Sequence, residues 1–290
     1  MHYVKMHGAG NSFVLVENMN KDLNGVRLNT LARFLCDPKT GPGADGLIVL
    51  SEGNEGRDFS MLFYNSDGSL GEMCGNGARC AACYGLEHGF SRDPERICFQ
   101  TTAGPVTARR IASREYQVAL NLPTVIDLHR RAEAFGDEVT CAYVELGSPG
   151  LPHAVTEVMA EDLEDAFRAV SDPSLPCPLR ERGRQLRKCA SFPKGANVTF
   201  FAPTGENSVR AITFERGVED FTLACGTGCG ATAVTLMLSG RLTGDTLFIR
   251  MPGGDLSVCL CREGDIIRKL LLTGPVAVTE EGEIPDSTIS

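Results

Sequence analysis

Two cysteine motifs share a spacing that suits acid/base chemistry. Each cysteine is followed by Gly-x-Gly, in Cys74-Gly75-Asn76-Gly77 and in Cys225-Gly226-Thr227-Gly228. Nearly uncharged stretches rich in Ala, Cys, Leu, Thr and Met follow both motifs and end at a glycine, which predicts helices over 78–87 and 230–238. A thiol at a helix N-terminus lies beside unpaired backbone N–H groups and the positive end of the helix dipole, which stabilise its thiolate. The sequence therefore predicts two reactive thiols, one at the start of each helix.

The glycines after each cysteine suit the binding of a carboxylate. Because glycine has no side chain, an anion can approach the bare N–H groups at Gly75-Asn76 and Gly226-Thr227. If the two helix ends face one another, Cys74 and Cys225 approach one small ligand from opposite sides. One thiolate and one thiol can then remove a proton from a carbon atom and return one on the opposite face, which is a two-base racemisation. N–H donors around the carboxylate would stabilise the enolate-like charge, so this chemistry requires neither a metal nor a pyridoxal cofactor.

The two halves of the chain repeat one order of motifs. Gly43-Ala44-Asp45 before an apolar run matches Gly195-Ala196-Asn197, the two cysteine motifs match each other, and residues 102–106 match residues 252–256. The matched segments lie at a nearly constant separation of about 150 residues. This order predicts an internal duplication of one supersecondary structure.

Short apolar or alternating runs bounded by Gly, Pro, Asn and Asp predict that each copy is rich in β-strands. The predicted strands are 13–16, 47–50, 61–64, 97–101, 116–120, 142–146, 198–201, 211–214 and 246–250. The helices after the cysteine motifs are apolar nearly all round and must be buried, whereas the polar stretches 161–168 and 179–188 predict surface helices. We therefore predict an α+β fold of two pseudo-symmetric lobes, each a mainly antiparallel sheet or barrel around a central buried helix. The N-terminal lobe is predicted to comprise residues 1–121 plus 275–290, and the C-terminal lobe residues 122–274.

Composition excludes several classes of partner. The 290 residues carry 28 basic and 37 acidic side chains, a formal net charge of -9, so the positive field that attracts proteins to nucleic acids or anionic lipids is missing. No apolar run approaches the roughly 20 residues needed to span a bilayer. Twelve cysteines without a hydrophobic export segment at the start predict a cytoplasmic protein in which most thiols are small core residues.

Motifs in both halves of the chain together resemble one known family, and the resemblance runs from residue 6 to Pro275. They are MHGAGNSF at 6–13, GADGL at 43–47, NSDGS at 65–69, EMCGNGARC at 72–80, Pro152-His153, ANV at 196–198, and ERG at 215–217 running to ACGTG at 224–228. In this combination the chain resembles the diaminopimelate epimerase family. The resemblance implies two lobes that close over the substrate and a cofactor-independent isomerase that interconverts LL- and meso-diaminopimelate on the route to lysine and peptidoglycan. It also implies that Cys74 and Cys225 are the paired acid/base groups.

The same resemblance implies roles for further residues. Asn11 and the Glu215 carbonyl would contact the reacting ammonium, and the helix ends at Gly75-Asn76 and Gly226-Thr227 would hold the reacting carboxylate. Asn65, Asn197 and Arg216 would hold the distal amino-acid group, because Arg grips a carboxylate with two parallel hydrogen bonds and Asn offers both donors and acceptors. His153 and Glu215 would lie near the thiols and help to set which one is ionised.

Three positions depart from the common family pattern and leave the substrate open. Ser12 stands where Asp is common, Gly46 where Gln is common, and Leu151 where Asn is common. The amides that are common at positions 46 and 151 are missing, which leaves fewer polar contacts for the substrate. A related racemase of histidine, glutamate or a proline-like amino acid is therefore the alternative. Arg216 with two Asn favours a bifunctional substrate over proline.

A zinc-binding module is the alternative from a different class. Its signals are Cys80-x2-Cys83 and Cys225-x3-Cys229, but both pairs fall within apolar helical stretches rather than turns. We therefore expect an enzyme with no metal site and a small amino acid as its partner, without nucleic acid or membrane; a homodimer remains open.

Overall fold

The computed structural model describes residues 1–285 except Lys21, Glu55, Glu72, Met73, Phe135 and Asp265. Glu72-Met73 of the first cysteine motif and residues 286–290 of the predicted N-terminal lobe therefore lie outside the described residues. The chain divides into two compact units. The first unit comprises Met1–Ala119 and the chain from Gly274 onward, and the second unit comprises Leu120–Thr273.

The described residues contain fifteen strands and five helices. The chain up to residue 120 contains β1 (His2–Gly8), β2 (Asn11–Glu17), α1 (Gly25–Cys36), β3 (Gly46–Glu52), β4 (Phe59–Asn65), α2 (Gly75–Glu87), β5 (Arg96–Thr101), β6 (Gly104–Ala112) and β7 (Glu115–Leu120). The remainder contains β8 (Pro123–Ala134), β9 (Asp137–Leu146), β10 (Leu151–Glu157), α3 (Ala160–Ser171), α4 (Pro178–Arg187), β11 (Asn197–Gly205), β12 (Ser208–Phe214), α5 (Gly226–Leu238), β13 (Thr246–Met251), β14 (Gly254–Glu263) and β15 (Ile266–Glu283).

The first unit is a closed barrel around α2. Strands β1 to β7 are hydrogen-bonded in chain order, β15 pairs with β7, and the last part of β15 pairs with β1. The neighbours β2–β3 and β4–β5 are parallel, and the other registered pairs are antiparallel. Every residue of α2 from Gly75 to Leu86 is buried, and the helix packs against β1 to β6. The sheet therefore surrounds the helix that follows Cys74.

The second unit repeats this plan around α5. Its strands run in the order β8 to β14, and β14 pairs with the first part of β15. The parallel pairs are β10–β11 and β12–β13, which correspond to the parallel pairs β2–β3 and β4–β5 of the first unit when β9 is matched with β1. Helix α5 packs against β8 to β11, β13 and β14. The predicted α+β fold, an internal duplication with mainly antiparallel strands around a central helix, is confirmed.

The outer helices cover the sheets. Helix α1 packs against β2, β3 and β4 with Leu28, Leu31 and Leu35 buried. Helices α3 and α4 bury Leu163 and Leu186 in the core of the second unit, which confirms the two predicted surface helices. None of the helices in the described part of the chain is long and apolar enough to cross a membrane.

The nine predicted strands all lie within observed strands, but the central helices begin earlier than predicted. Helix α2 begins at Gly75 rather than at residue 78, and α5 at Gly226 rather than at residue 230. The reason is that the two cysteines cap the helices, so the glycines behind them form the first turn instead of a preceding loop. The sequence interpretation did not include β1, β6, β8, β10, β14, β15 or α1.

Candidate active site

Both motif cysteines are helix N-caps with the same local geometry. The Sγ atom of Cys74 accepts a hydrogen bond from the Gly77 N–H at 3.4 Å, and the Sγ atom of Cys225 accepts one from the Gly228 N–H at 3.4 Å. Both cysteines have extended backbone angles, with φ near -125° and -121°. Each sulfur thus takes the place of the oxygen that normally caps a helix. The predicted location of two thiols at helix N-termini is confirmed.

The space beneath the two capped turns differs in polarity. A Cβ atom added to Gly77 would meet the apolar tips of Ile48 and Met61 at 3.3 and 3.6 Å. A Cβ atom added to Gly228 would meet the hydroxyl oxygens of Thr213 and Thr199 at 2.7 and 2.8 Å. These two hydroxyls are fully buried and hydrogen-bonded to each other at 3.0 Å. The duplicated motif therefore rests on hydrocarbon in the first unit and on a hydroxyl pair in the second.

A buried arginine organises the first turn of α2. The Arg79 Nη2 atom donates to the Asn76 Oδ1 atom at 2.9 Å, and Nη1 donates to the Gly75 carbonyl at 3.4 Å. A guanidinium has donors only, so it fixes the amide oxygen of Asn76 on its own side. Gly8 on β1 approaches so closely that an added Cβ would lie 2.8 Å from the Asn76 carbonyl.

The sequence interpretation assigned no role to Arg79. The sequence signal is a charged residue within a stretch that is uncharged until Glu87, at the position that Gly230 occupies in the second copy of the motif. That position is closely packed in α5, because a Cβ added to Gly230 would lie 2.9 Å from Leu120 and 3.1 Å from Leu270. The two central helices therefore differ at this position in both charge and available space.

A carboxyl group contacts the second thiol. The Glu215 side chain lies close enough to Cys225 to affect its pKa and accepts a hydrogen bond from the Thr222 hydroxyl at 2.6 Å. Burial raises the pKa of Glu215, and burial followed by the charge of Glu215 raises the pKa of Cys225 well above that of an ordinary thiol. At Cys225 the helix N-terminus is thus outweighed by desolvation and by the adjacent carboxylate. The predicted proximity of Glu215 to a thiol is confirmed for Cys225. The Gly228 N–H at the helix N-terminus lowers the pKa of Cys225 as expected, but burial and Glu215 raise it by more.

Three of the predicted residues meet at the start of β11. Asn197 is buried, and its Oδ1 atom accepts a hydrogen bond from the Arg216 backbone N–H at 2.8 Å. His153 on β10 pairs with Asn197 in the parallel register. The Arg216 guanidinium donates to the Lys194 carbonyl at 3.3 Å. With its oxygen engaged in this way, the Asn197 amide has its N–H donors left for a ligand.

His153 is fully buried, and neither ring nitrogen has a hydrogen-bond partner among the described residues. Burial, with a smaller effect from the positive charge of Arg216, lowers the pKa of His153 to about 3. The imidazole is therefore neutral at physiological pH. Its predicted influence on the ionisation of the thiols remains a prediction.

Asn11 and Asn65 lie on neighbouring parts of the first unit. Asn11 begins β2 after a tight turn in which Ala9 and Gly10 have φ angles of 51° and 89°, and its Oδ1 atom is buried without a partner in the described part of the chain. Asn65 ends β4, is exposed, and donates to the Ser69 hydroxyl at 2.9 Å. The strand register places Gly46 opposite Asn65 on one side and opposite Phe13 on the other.

The three unusual positions have local explanations. Ser12 is hydrogen-bonded to Asp45, because its backbone N–H donates to the Asp45 Oδ2 atom at 2.7 Å. At Gly46 an added Cβ would overlap the ring of Phe63 and the backbone carbonyl oxygen of Tyr64, so a larger side chain requires movement of both the ring and the backbone. Leu151 begins β10 opposite Leu146 of β9.

The remaining cysteines are mostly packing residues. Cys80, Cys83 and Cys229 are buried within the central helices, and all twelve cysteines are present as thiols. Among the residues that the structure describes, no group of three His, Cys, Asp or Glu side chains lies close enough together to hold a metal ion.

The overall fold occurs in several solved structures of low sequence identity. A hydroxyproline epimerase from Agrobacterium vitis superposes with a TM-score of 0.72 at 18% identity, covering 98% of this chain and 90% of that protein. A PhzF-family phenazine biosynthesis protein from Bacillus anthracis superposes with a TM-score of 0.73 at 11% identity, covering 98% and 99%. The chain thus has the duplicated fold that these proteins share.

Sequence comparison identifies the family. Residues 3–119 and 148–278 match the sequence model of the family described as diaminopimelate epimerase. The diaminopimelate epimerase of Aquifex aeolicus is 33% identical over 298 residues, covering 100% of this chain and 99% of that protein. The Hydrogenobaculum enzyme is 34% identical over 290 residues, covering 97% and 98%. The chain belongs to the diaminopimelate epimerase family, which is a family of isomerases.

Proposed function

We propose that the protein interconverts LL- and meso-diaminopimelate by a two-base mechanism without a cofactor. The family supports the reaction. The observation that carries the mechanism is that Cys74 and Cys225 occupy the same N-capping position on the central helices of two copies of one fold. A duplication that preserves an acid/base group in both copies suits a reaction that uses one such group for each face of a carbon atom.

We assign Cys225 as the proton donor and Cys74 as the proton acceptor in the resting enzyme. Burial and the adjacent Glu215 raise the pKa of Cys225 and keep it protonated. Cys74 is then the thiol that must ionise to begin the reaction. Removal of the α-proton by Cys74 and delivery of a proton by Cys225 invert the reacting carbon, and the opposite sequence serves the reverse reaction.

The helix N-termini would bind the reacting carboxylate. The backbone N–H groups at Gly75-Asn76 and Gly226-Thr227 are donors in the first turns, where the helix dipole favours negative charge. The same donors would stabilise the charge that moves onto the carboxylate as the α-proton leaves. Asn11 and the Glu215 carbonyl would take the reacting ammonium group.

The distal amino-acid group would be held by Asn65, Asn197 and Arg216. Arg216 suits a bidentate contact with the distal carboxylate. The Asn197 amide oxygen is already bound to the Arg216 backbone, so its N–H donors complement the same carboxylate. We assign His153 the role of a neutral neighbour of this group, because His153 lies beside Asn197 in the register of β10 and β11 and its low pKa keeps the ring uncharged.

Solvent exchange tests the proposal. Protein in deuterium oxide with LL-diaminopimelate should incorporate deuterium at the α-carbon and form the meso isomer, with full activity in EDTA. Cys74→Ala and Cys225→Ala should each lose at least a thousandfold in rate, because each lacks one of the two proton-transferring groups. Cys261→Ala, at a half-exposed thiol on β14, is the matched control and should retain activity. Unimpaired epimerisation by either motif variant would contradict the two-base mechanism.

A second candidate is racemisation of another amino acid. The observation that favours it is Gly46, which offers no polar side chain to the distal group of diaminopimelate. The same exchange assay with histidine, glutamate and proline separates the two candidates. Turnover of one of these with inertness toward diaminopimelate would establish the second candidate.

We further propose that the enzyme works in the cytoplasm, which suits twelve cysteines that form no disulfide bonds. A homodimer stays a prediction that sedimentation at micromolar concentration would measure.

A further inference from the structure

The inner face of β4 forms a row of side chains along α2. Alternate strand residues point to one side, so Phe59, Met61 and Phe63 share a face. Phe59 lies against Gly85 in the last part of α2, and Met61 lies against Gly77 in its first turn. The row therefore runs toward the N-terminus of the helix.

Phe63 is the next member of this row and lies beyond the first turn. The step from Met61 to Phe63 advances about 6.6 Å along the strand. The step from Gly77 back to Cys74 is about 4.5 Å along the helix axis. The ring of Phe63 is therefore at the level of the Cys74 cap, at the mouth of the first barrel. Leu62 and Tyr64, which alternate with it, pack instead into the outer core beneath α1.

The Phe63 ring is held in place but not covered. A Cβ added to Gly46 or to Gly71 would overlap the ring, so two glycines provide the space for it. Phe13 packs edge-on against it, with 6.0 Å between ring centroids and 76° between ring planes. Phe63 is nevertheless only half-buried. A positioned aromatic ring thus presents apolar surface at the barrel mouth.

The ring lies between two groups of the proposed site. Cys74 caps the helix on one side, and Asn65 is the next residue on the same face of β4. Under the proposed function, on which this inference rests, Cys74 acts on the reacting carbon and Asn65 binds the distal group. The methylene chain that joins these two ends of the substrate must therefore pass the ring.

We propose that Phe63 is a specificity-determining residue that packs against the methylene chain of the substrate. Gly46 carries no side chain, and the ring fills its space with hydrocarbon instead of a polar group. The substrate class is then an α-amino acid with an unbranched chain of several methylenes and a polar end. A short or cyclic amino acid leaves the ring without a partner.

Kinetics of ring removal give the first test. Phe63→Ala should raise KM for LL-diaminopimelate about tenfold, since it loses apolar contact with two or so methylene groups, and should change kcat less than twofold. Phe63→Leu keeps apolar bulk and should stay within threefold of the wild-type KM. An unchanged KM in folded Phe63→Ala, or a fall in kcat alone, would overturn the proposal.

Alkylation gives a second test that does not require turnover of diaminopimelate. In the reaction with a 2-bromo carboxylate, the Cys74 thiolate forms a C–S bond, and bromide leaves with the electron pair of the C–Br bond. Residue-specific mass spectrometry should show that the wild-type rate at Cys74 rises along 2-bromopropanoate, 2-bromobutanoate, 2-bromopentanoate and 2-bromohexanoate. The rise should total at least fivefold, disappear in Phe63→Ala and persist in Phe63→Leu.

Cys98, a half-exposed thiol on β5, is the internal control and should show the same rates in all three proteins. A flat chain-length series in the wild-type protein would overturn the proposal even if Phe63→Ala does not fold. A rising series without turnover of diaminopimelate would refute the proposed function and leave the role of Phe63 supported. Turnover of diaminopimelate together with a flat chain-length series would support the proposed function and refute the role of Phe63.

Discussion

Alanine at the two equivalent motif glycines should have opposite effects. Gly77→Ala places its Cβ 3.3 Å from the Ile48 methyl and 3.6 Å from the Met61 methyl, both at the ends of flexible side chains. Replacing a helical glycine by alanine stabilises by about 0.5 to 1 kcal/mol when space allows. We therefore expect the free energy of unfolding to stay constant or rise slightly in Gly77→Ala.

Gly228→Ala meets two hydroxyl oxygens that have no flexible tail. The Cβ would lie 2.7 Å from Thr213 Oγ1 and 2.8 Å from Thr199 Oγ1, where about 3.4 Å is an ordinary contact. Overpacking a core costs about 1 to 3 kcal/mol, and separation of the Thr199–Thr213 hydrogen bond adds about 1 kcal/mol. Both variants gain the same helix propensity, so this gain cancels in the comparison. The free energy of unfolding of Gly228→Ala should therefore be about 2 to 4 kcal/mol lower than that of Gly77→Ala.

Urea unfolding of the two variants at pH 7 measures this difference, and solvent exchange measures its effect on activity. The new methyl group would also lie 3.3 Å from the Cys225 sulfur, so Gly228→Ala should lose activity and Gly77→Ala should largely keep it. In a Thr199→Ala/Thr213→Ala background, Gly228→Ala should cost less than half as much. Equal stabilities of the two glycine variants, or an undiminished cost in that background, would refute the steric explanation.

Three further expectations concern charge. Glu215→Gln removes a negative charge that raises the pKa of Cys225, so the midpoint of the pH profile for iodoacetamide labelling of Cys225 should fall, and an unchanged midpoint would argue against the contact. The pKa of His153 is lowered to about 3, so below pH 6.5 the unfolded chain binds a proton that the folded protein does not, and stability falls by about 1.4 kcal/mol per pH unit. Urea titrations between pH 6.5 and 4.5 should show a shallower loss in His153→Leu, and parallel losses in both proteins would contradict the assignment. Arg79→Met removes the donor to the Asn76 amide oxygen and should raise KM at least fivefold. Arg79→Lys should recover part of this loss. Equal KM values in the wild-type protein and both variants would show that Arg79 does not position Asn76.

The sequence was most informative where short-range chemistry decides the structure. A cysteine followed by Gly-x-Gly and an apolar stretch predicts a capped, buried helix from neighbouring residues alone, and α2 and α5 confirm it. The sequence of β8 does not predict a strand, because three consecutive residues of its first half are exposed, Val125 and Ile126 among them, and its pattern lacks a clear buried face. Helix α1 has an apolar face at Leu28, Leu31 and Leu35, and this spacing in the sequence is typical of a helix.

Other parts of the site depend on contacts between distant residues. The ionisation of Cys225 depends on how deeply it is buried and on Glu215, and a motif carries neither quantity. Similarly, the ring of Phe63 fits because β3 and β4 align Gly46 beside it, and that register is a property of the folded sheet. Local patterns therefore predict the two helix-capping thiols, whereas tertiary packing sets their protonation and their surroundings.

The long strand β15 also constrains the order in which the chain can fold during synthesis. Its last residues pair with β1, so that His2 lies opposite Glu283 at nearly the full length of the chain. The first barrel consequently cannot close until the ribosome has made the whole second unit, which takes about 10 to 30 s at the usual elongation rates. Throughout that interval the backbone edges of β1 and β7 lack their final partner, and such unpaired edges are sites of aggregation. Production of this protein should therefore be more sensitive to chaperone supply and to truncation at the C-terminus than its compact units suggest.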